Sequence, residues 1–407
     1  MSRMSKRLGI WAGAAAGAAA LTLLGIPALA QDDPAAEPPP TEFVIGFVDL
    51  AQDARFDDRH AYYMVPVRPW GRPVAGAELG IADALITGAA IGVNFSLTAA
   101  RGNDVAELVA AVEEWVAAGV GFVGVDLPAA QLIELSDAVA DLPVVLFNVS
   151  AHDDELRGAS CRANVVHTIP SHRMMTDAMM QFLVLHRWTN ILVLAGPSEA
   201  DQQIVTAVRQ SANQFGARII DVRDFVLGTD PRNREQNNVA LMTNGNYDVV
   251  YVADSDGEFA RYVPYETLNP RPVVGSAGLS ALAWHWSWER QGAPQLNDRF
   301  EDVNFRFMDQ YDWAAWAAVR AVVQSVLRSQ STEFGPVRDY LLGERMNLDG
   351  SKGNPMSVRS WDHQMRQGII IATGNNSMQL APVEGFLHQT NDLDTLGVDA
   401  PQSACQF

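Results

Sequence analysis

The sequence predicts an α/β protein of two lobes, each a doubly wound parallel sheet with helices on both faces. Short runs rich in Val, Ile and Phe alternate with longer runs whose apolar residues recur about every 3.6 positions. That alternation is typical of strands followed by helices in parallel sheets. About 365 residues follow the N-terminal segments, and a single core rarely grows past roughly 250–300 residues. We therefore expect two lobes.

The elements follow the chain in two βα blocks of similar size and a returning helix. Strands are predicted at residues 43–48, 94–98, 121–125, 144–147, 190–194, 218–222, 249–252, 273–275 and 368–373. Helices are predicted at residues 77–91, 104–118, 130–139, 173–185, 201–214, 309–329 and 336–342. Lobe 1 is expected to comprise residues 42–167 and about 280–345, and lobe 2 residues 168–279 and about 346–407 with the C-terminal tail. A ligand site is expected where the carboxyl ends of the two sheets face each other.

The first 30 residues have the three parts of a secretory signal peptide. Basic residues at positions 3, 6 and 7 precede an apolar run at 8–24, and small residues at 28–30 form a cleavage site before Gln31. A membrane anchor is the alternative, although this run is short for a span. Residues 31–41 hold four prolines and three carboxylates and are expected to form a disordered tether. The mature protein is therefore expected to be exported from the cytoplasm.

The net charge indicates which classes of partner the protein can bind, and the two cysteines are considered for an oxidising compartment. Removing the signal peptide, which has three basic residues and no acidic one, lowers the net charge from −19 to −22. Such a charge argues against nucleic acid and anionic membrane surfaces as partners and is compatible with a cationic ligand. Cys161 and Cys405, the two cysteines, are expected to form one disulfide, with two free thiols as the alternative.

The sequence carries no motif of a cofactor site or of a catalytic nucleophile. A G-x-G-x-x-G after a strand, a P-loop, H-E-x-x-H, C-x-x-C and G-x-S-x-G are all missing. This absence favours a binding protein that requires no cofactor over an enzyme. A hydrolase on the same fold is the alternative, but the sequence indicates no pair of nucleophile and base for it.

Polar side chains follow five of the predicted strands, where the functional loops of an open α/β sheet lie. The predicted ligand-binding residues are Asp49, Asp126, Asn148, Ser150, Asp153, Asp154, Glu199, Asp254, Asp256 and Trp284. Oxygen-rich, sulfur-free donor sets suit hard cations. The sequence therefore predicts a bound lanthanide or calcium ion, with ligands from Asp126, Asp153, Asp254 and Asp256.

Two alternatives to this metal site remain open. The carboxylates after the strands could instead cap the helices that follow them, by accepting hydrogen bonds from free backbone N–H groups. The ligand could also be a small organic solute, held in a pocket formed by Trp284, Trp286 and Ser150.

Eight segments of the sequence are similar to a known family. The segments that carry the resemblance are 147–158, 161–162, 167–171, 235–238, 252–259, 284–290, 312–316 and 385–397. By these segments the chain resembles type I periplasmic solute-binding proteins of the branched-chain amino-acid-binding kind, in the subgroup associated with PQQ-dependent alcohol dehydrogenase systems. The resemblance implies a Venus-flytrap fold, a periplasmic location, and an ABC permease with its ATPase as partners. A monomer is expected, as is usual for proteins of this shape.

The resemblance also shows where this chain departs from the amino-acid binders. Those proteins grip the ligand carboxylate with the loop after the fourth strand, and the matching loop here keeps one hydroxyl, that of Ser150. Residues 276–278 replace the region that presents a glutamate to the ligand ammonium, which disfavours an α-amino acid. Some members resembling the subgroup lie in lanthanide-uptake clusters, in agreement with the carboxylates. Import of an alcohol-derived solute is the alternative.

Overall fold

The computed structural model describes residues 39–56, 59–60, 66–67, 71–227 and 236–407. The predicted signal peptide and residues 31–38 of the predicted tether lie outside these residues. Thr41, the last residue of the predicted tether, already belongs to the first strand. The two lobes described below belong to one compact unit that begins at Pro40.

Lobe 1 contains a five-stranded parallel sheet. Its strands are β1 (Thr41–Leu50), β4 (Val93–Gly102), β5 (Phe122–Asp126), β6 (Val145–Asn148) and β7 (Val165–His167). Their order across the sheet is β4-β1-β5-β6-β7. A short antiparallel pair, β2 (Arg59–His60) and β3 (Pro66–Val67), follows β1. The helices of this block are α1 (Val74–Ile91), α2 (Val105–Ala117) and α3 (Ala129–Ala138).

Lobe 2 contains a four-stranded parallel sheet. Its strands are β8 (Asn190–Ala195), β9 (Arg218–Asp224), β10 (Val249–Ala253) and β11 (Val273–Gly275), in the order β11-β10-β8-β9. Its helices are α4 (His172–Leu185), α5 (Glu199–Phe215), and the one-turn α6 (Val239–Met242) and α7 (Val263–Glu266). The predicted α/β class with two parallel sheets is therefore confirmed.

The chain then returns to lobe 1 through three helices and a short hairpin. These are α8 (Ala293–Asn304), α9 (Gln310–Ser329), α10 (Phe334–Leu341), β13 (Leu348–Asp349) and β14 (Pro355–Met356). Helix α1 packs so closely on α9 that a Cβ at Gly76 would lie 1.9 Å from the carbonyl oxygen of Asp312. Within the described residues only α1 has the length and hydropathy of a membrane span, and here it packs as a helix of lobe 1.

The lobe 1 core extends further along the chain than the sequence indicated. Met346, Met356 and Met365 pack in the same hydrophobic core as the strands of lobe 1. The return segment of lobe 1 was expected to end near residue 345. These apolar side chains keep the chain in lobe 1 through Met365 because they complete its core.

A third, antiparallel sheet joins the lobes. It consists of β12 (Ser280–Leu282), β15 (Ile369–Ala372) and β16 (Ser377–Ala381), with β15 in the middle. Side chains of successive residues in a strand point to opposite faces. Ile369 and Ile371 accordingly pack in the core of lobe 2, whereas Ile370 packs in the core of lobe 1. This sheet is the hinge sheet.

Buried polar side chains connect the segments that cross between the lobes. The Gln367 side chain donates to the carbonyl oxygen of Thr168 at 2.7 Å. Lys352 donates to the Gln367 side chain at 2.9 Å and to the carbonyl oxygen of Ala283 at 2.8 Å. Since these groups are buried, their mutual hydrogen bonds offset the cost of removing them from water.

The C-terminal tail contacts both lobes. Gly397 donates its backbone N–H to Asp177 of α4 in lobe 2, at 2.8 Å. Cys405, further along the tail, forms a disulfide with Cys161 of lobe 1, across 244 residues of sequence. The predicted disulfide is confirmed, and it makes the tail a covalent connection between the lobes in addition to the hinge segments.

Asp177 makes the stability of lobe 2 depend on pH. Burial raises the pKa of this carboxyl from its ordinary value of 3.8 to about 6, against the lowering effect of Arg173 and Ser211. Between these two pH values the folded state holds a proton that the unfolded state has lost, so stability falls as pH rises. We expect this carboxyl to contribute a fall of about 2 kcal/mol between pH 4 and pH 7.

Urea unfolding of the native protein and of the Asp177→Asn variant, followed by tryptophan fluorescence at pH 4, 5, 6 and 7, tests this expectation. The variant has no titratable group at position 177. The stability difference between the two proteins should therefore shift in favour of the variant as pH rises. Parallel stability curves over this range would contradict the raised pKa.

Candidate functional site

A cleft of about 700 Å³ lies where the carboxyl ends of both parallel sheets meet the hinge sheet. Lobe 1 contributes the loops after β5 and β6, residue Arg55 and the start of α9. Lobe 2 contributes the first turns of α4 and α5 and the loops after β10 and β11. The polar side chains in its walls include Arg55, Ser150, His152, Asp153, His172, Gln203, Tyr251, Asp254, Asp256, Arg261, Gln310 and Tyr311. The volume suits a small organic molecule.

The loop after β6 is held in place by the buried Asn148. Its side-chain oxygen accepts hydrogen bonds from the backbone N–H groups of Ser150 and Ala151, at 3.2 and 2.9 Å. Its amide nitrogen donates to the carbonyl oxygen of Ala151 at 2.8 Å. Asn148 therefore shapes the loop that presents Ser150 and His152 to the cleft, and does not line the cleft itself.

An ion-pair cluster supports the lobe 1 wall. Arg55 donates to Asp126 at 2.8 Å and to Asp53 at 2.6 Å. Burial raises the pKa of the Asp126 carboxyl, and the Arg55 guanidinium opposes this rise. Asp49, at the end of β1, forms ion pairs with Arg72 and Arg101 instead. The carboxylates that follow β1 and β5 are thus neutralised by arginines.

Asp254 is the most buried acid in the lobe 2 wall, with 2% of its surface exposed. Its Oδ2 accepts the backbone N–H of Ala260 at 2.8 Å, and its own N–H donates to the Ser276 hydroxyl at 3.0 Å. Burial raises the pKa of the Asp254 carboxyl, and the Ala260 N–H opposes this rise. Asp256 lines the cleft two residues further along, and is exposed.

Four of the ten predicted ligand-binding residues line this cleft: Ser150, Asp153, Asp254 and Asp256. Asp49, Asp126 and Asn148 lie behind the walls in the interactions just described. Asp154 accepts the backbone N–H of Arg173 at 2.9 Å and so joins the loop after β6 to the start of α4. Glu199 is the first residue of α5, and its neighbour Ala200 lines the cleft instead.

Trp284 lies in the core of lobe 1, away from the cleft. Its ring stacks on Trp313 at a centroid distance of 6.1 Å, and its Nε1 donates to Asn297 at 3.0 Å. Trp286, the second aromatic residue of the predicted organic pocket, stacks on Phe307 at 4.4 Å. The structure places neither tryptophan in the walls of the cleft, because Trp284 packs against Trp313 of α9 and Trp286 against Phe307, between α8 and α9.

The structure does not assemble the predicted metal site. In the described parts of the chain, no group of three His, Cys, Asp or Glu side chains is arranged to hold a metal ion. Asp126 forms an ion pair with Arg55, and one oxygen of Asp254 accepts a hydrogen bond from a backbone N–H. Asp153 and Asp256 line the cleft without joining such a group.

The sequence analysis missed the aromatic side chains of the cleft. His152 contacts His172 at a centroid distance of 5.5 Å and Tyr311 at 5.6 Å. His152 comes directly after the loop at the end of the fourth predicted strand, so its place in the sequence indicates a position near the cleft. His172 and Tyr311 begin helices, and only the packing of the lobes brings them to His152.

Comparisons with known proteins agree with this architecture. Residues 66–256 match the family model described as periplasmic binding protein. No curated protein sequence matches the chain.

Three solved structures illustrate the likeness of fold. A branched-chain amino acid ABC transporter periplasmic ligand-binding protein from Burkholderia xenovorans LB400 is 13% identical, with a TM-score of 0.70 over 89% of this chain and 99% of that one. A branched-chain amino acid transporter substrate-binding protein from Streptococcus pneumoniae, in complex with isoleucine, is 14% identical, with a TM-score of 0.62 over 84% and 99%.

The third is a solute-binding protein of an ABC transporter from Rhodopseudomonas palustris BisB5, in complex with 3,4-dihydroxybenzoic acid. It is 9% identical, with a TM-score of 0.61 over 83% of this chain and 97% of that one. At these identities the structures establish the fold, and the family model adds a match in sequence. The chain therefore has the fold of the type I periplasmic binding proteins, and its residues 66–256 are similar in sequence to the periplasmic binding protein family.

Proposed function

We propose that this protein is the periplasmic solute-binding component of an ABC importer and binds a small organic solute between its lobes. One observation carries the proposal: the cleft takes its walls from both lobes and its floor from the hinge sheet. A solute in this position contacts both lobes at once and favours their closure, because a ligand shifts an equilibrium toward the state that it binds better. The closed protein would deliver the solute to a permease with its ATPase.

The relatives support a binding role. Two of the similar structures hold a bound organic molecule, isoleucine in one and 3,4-dihydroxybenzoic acid in the other. The link to PQQ-dependent alcohol oxidation rests on the sequence resemblance and stays a prediction. We infer that the protein binds its solute without converting it, since its relatives are described as binding proteins.

Thermal unfolding with a panel of amino acids, aromatic acids, alcohols and amines tests the proposal. A solute present at 100 times its Kd stabilises the folded state by about 2.7 kcal/mol, which raises the melting temperature by several degrees. The Ala200→Trp variant, which fills the cleft from the first turn of α5, should lose this stabilisation. The Ala89→Trp variant, on the exposed side of α1, should keep it. Equal stabilisation of both variants would place binding outside the cleft.

A hard multivalent cation is the second candidate ligand. Its favouring observation is that Asp126 Oδ2 and Asp254 Oδ1 are buried and have no hydrogen-bond partner among the described residues. The other oxygen of each carboxylate already has a partner, which is Arg55 for Asp126 and the Ala260 N–H for Asp254. In the described residues no group of side chains is arranged to hold a metal ion. Both observations favour the organic solute. Calorimetric titration of the chelator-treated protein decides the matter. Tight stoichiometric binding of La³⁺ that Ca²⁺ does not match would establish a lanthanide site.

A further inference from the structure

Two buried hydrogen-bond acceptors, which find no partner in the described parts of the chain, belong to residues on opposite lobes of the cleft. His152 follows β6 in lobe 1, and its ring Nδ1 lies 2.7 Å from the carbonyl oxygen of Pro170. A carbonyl oxygen only accepts, so Nδ1 carries the hydrogen and donates it. In the neutral ring Nε2 is then an acceptor, and burial lowers the pKa of His152 to about 3. This Nε2 is sealed from solvent and has no partner among the described residues.

Asp254 presents the second acceptor from lobe 2. Its Oδ2 is occupied by the Ala260 N–H, and its backbone is fixed by Ser276. These two contacts hold the carboxylate in one orientation. Its Oδ1 is buried and has no partner among the described residues. A buried acceptor left unpaired costs about 1–3 kcal/mol, so a molecule that donates a hydrogen bond here would recover that cost.

The rings around His152 indicate the body of such a molecule. His172 of lobe 2 and Tyr311 of the lobe 1 side lie within 5.6 Å of the His152 ring, measured between centroids. Leu127 and Met175 add apolar surface to the same cleft. Aromatic side chains pack well against flat rings, by offset stacking or edge-to-face contact. A flat, largely apolar body therefore fits this part of the cleft.

We propose that the solute is a small, flat, largely apolar molecule carrying N–H or O–H groups that donate hydrogen bonds to His152 Nε2 and Asp254 Oδ1, and so connects the two lobes. This inference rests on the proposed function and specifies the class of solute. An aromatic amine carries several N–H hydrogens on one nitrogen and can donate to both acceptors, whereas an aromatic alcohol with one O–H can donate to one of them. A carboxylate whose only polar atoms are acceptors does not satisfy either position.

Calorimetric titration with matched probes tests the inference. Benzyl alcohol and benzylamine carry donors, whereas benzyl methyl ether, benzyltrimethylammonium and benzoate have none. We expect at least one of the first two to bind, and its methylated counterpart to bind at least about tenfold more weakly, since a hydrogen bond to a charged group contributes about 1.5–3 kcal/mol. The alcohol and amine arms distinguish an O–H from an N–H donor.

Two variants assign the effect to Asp254. Asp254→Asn keeps an oxygen for the Ala260 N–H and replaces the free acceptor with a donor, so the bound probe should lose at least about tenfold in affinity. Glu258→Gln removes the same charge from the same loop at a residue outside the lining of the cleft, and is expected to change affinity by less than about twofold. Circular dichroism and melting temperature confirm that both variants fold.

Three outcomes would overturn the inference. These are binding of no donor probe, equal binding of every donor probe that binds and its methylated counterpart, and equal losses in the two variants. Benzoate binding that is lost in Ala200→Trp, with no binding of a donor probe, would leave the proposed function intact while rejecting the donor class. Failure of the whole solute panel would reject the proposed function itself.

Discussion

Replacing Asp394 with alanine should lower the free energy of unfolding by about 3–5 kcal/mol. Asp394 forms ion pairs with Arg359 and Arg366, both at 2.8 Å. Arg359 has 1% of its side chain exposed. Without Asp394, Arg359 keeps its hydrogen bonds to the carbonyl oxygens of Leu393 and Leu396, but its charge remains buried without this partner. Breaking a buried pair is strongly destabilising for that reason.

Urea unfolding followed by tryptophan fluorescence measures this loss. The matched control is Asp339→Ala, which removes an exposed ion pair with Arg338 and should cost at most about 1 kcal/mol. If the Asp394 and Asp339 variants lose equal stability, the buried pair does not anchor the C-terminal tail.

Reducing the Cys161–Cys405 disulfide should lower stability by about 2–5 kcal/mol. The disulfide closes a span of 244 residues, and in the chain-entropy model a longer loop restricts the unfolded chain more. The free energy of unfolding should be measured for the oxidised protein, the reduced protein and the Cys161→Ala, Cys405→Ala double variant. We expect the oxidised protein to be more stable than the other two.

A thiol count before and after reduction serves as the control for this experiment. The double variant should not respond to reductant, because it has no cysteine left. Coinciding unfolding curves for the oxidised and reduced proteins would show that the tail is held by its noncovalent contacts alone. Those contacts include the hydrogen bond from Gly397 to Asp177 and the Asp394 ion pairs.

Local sequence patterns predicted the strands of both parallel sheets, except for the three-residue strand β7 (Val165–His167). The predicted strand at 249–252 corresponds to Val249–Ala253, and the predicted helix at 173–185 to His172–Leu185. A buried parallel strand is nearly all apolar, so its pattern is visible without its neighbours. The helix Ala293–Asn304 was missed, although Ala293, Leu296 and Phe300 already have helical spacing.

The hinge sheet was only partly predictable. The strand β15 was predicted from its apolar run, but β12 and β16 were not. Ser280–Leu282 has three residues, all half-buried, and so few residues give no measurable period. Its strand conformation depends on pairing with Ile370–Ala372, which lies far along the chain.

The sequence by itself determined the two-lobed α/β class, the disulfide partners and the strand ends around which the cleft forms, because these depend on local hydrophobic periodicity and on having only two cysteines. The tertiary structure decided which polar side chains reach the cleft. Asp49 and Asp126 follow strands as expected, but arginines from other segments neutralise them. Hydrogen bonds fix one side of His152 and of Asp254, and the other side of each keeps an acceptor that has no partner in the part of the chain that the structure describes. Such pairing depends on distances between remote segments, and only the folded chain sets those distances.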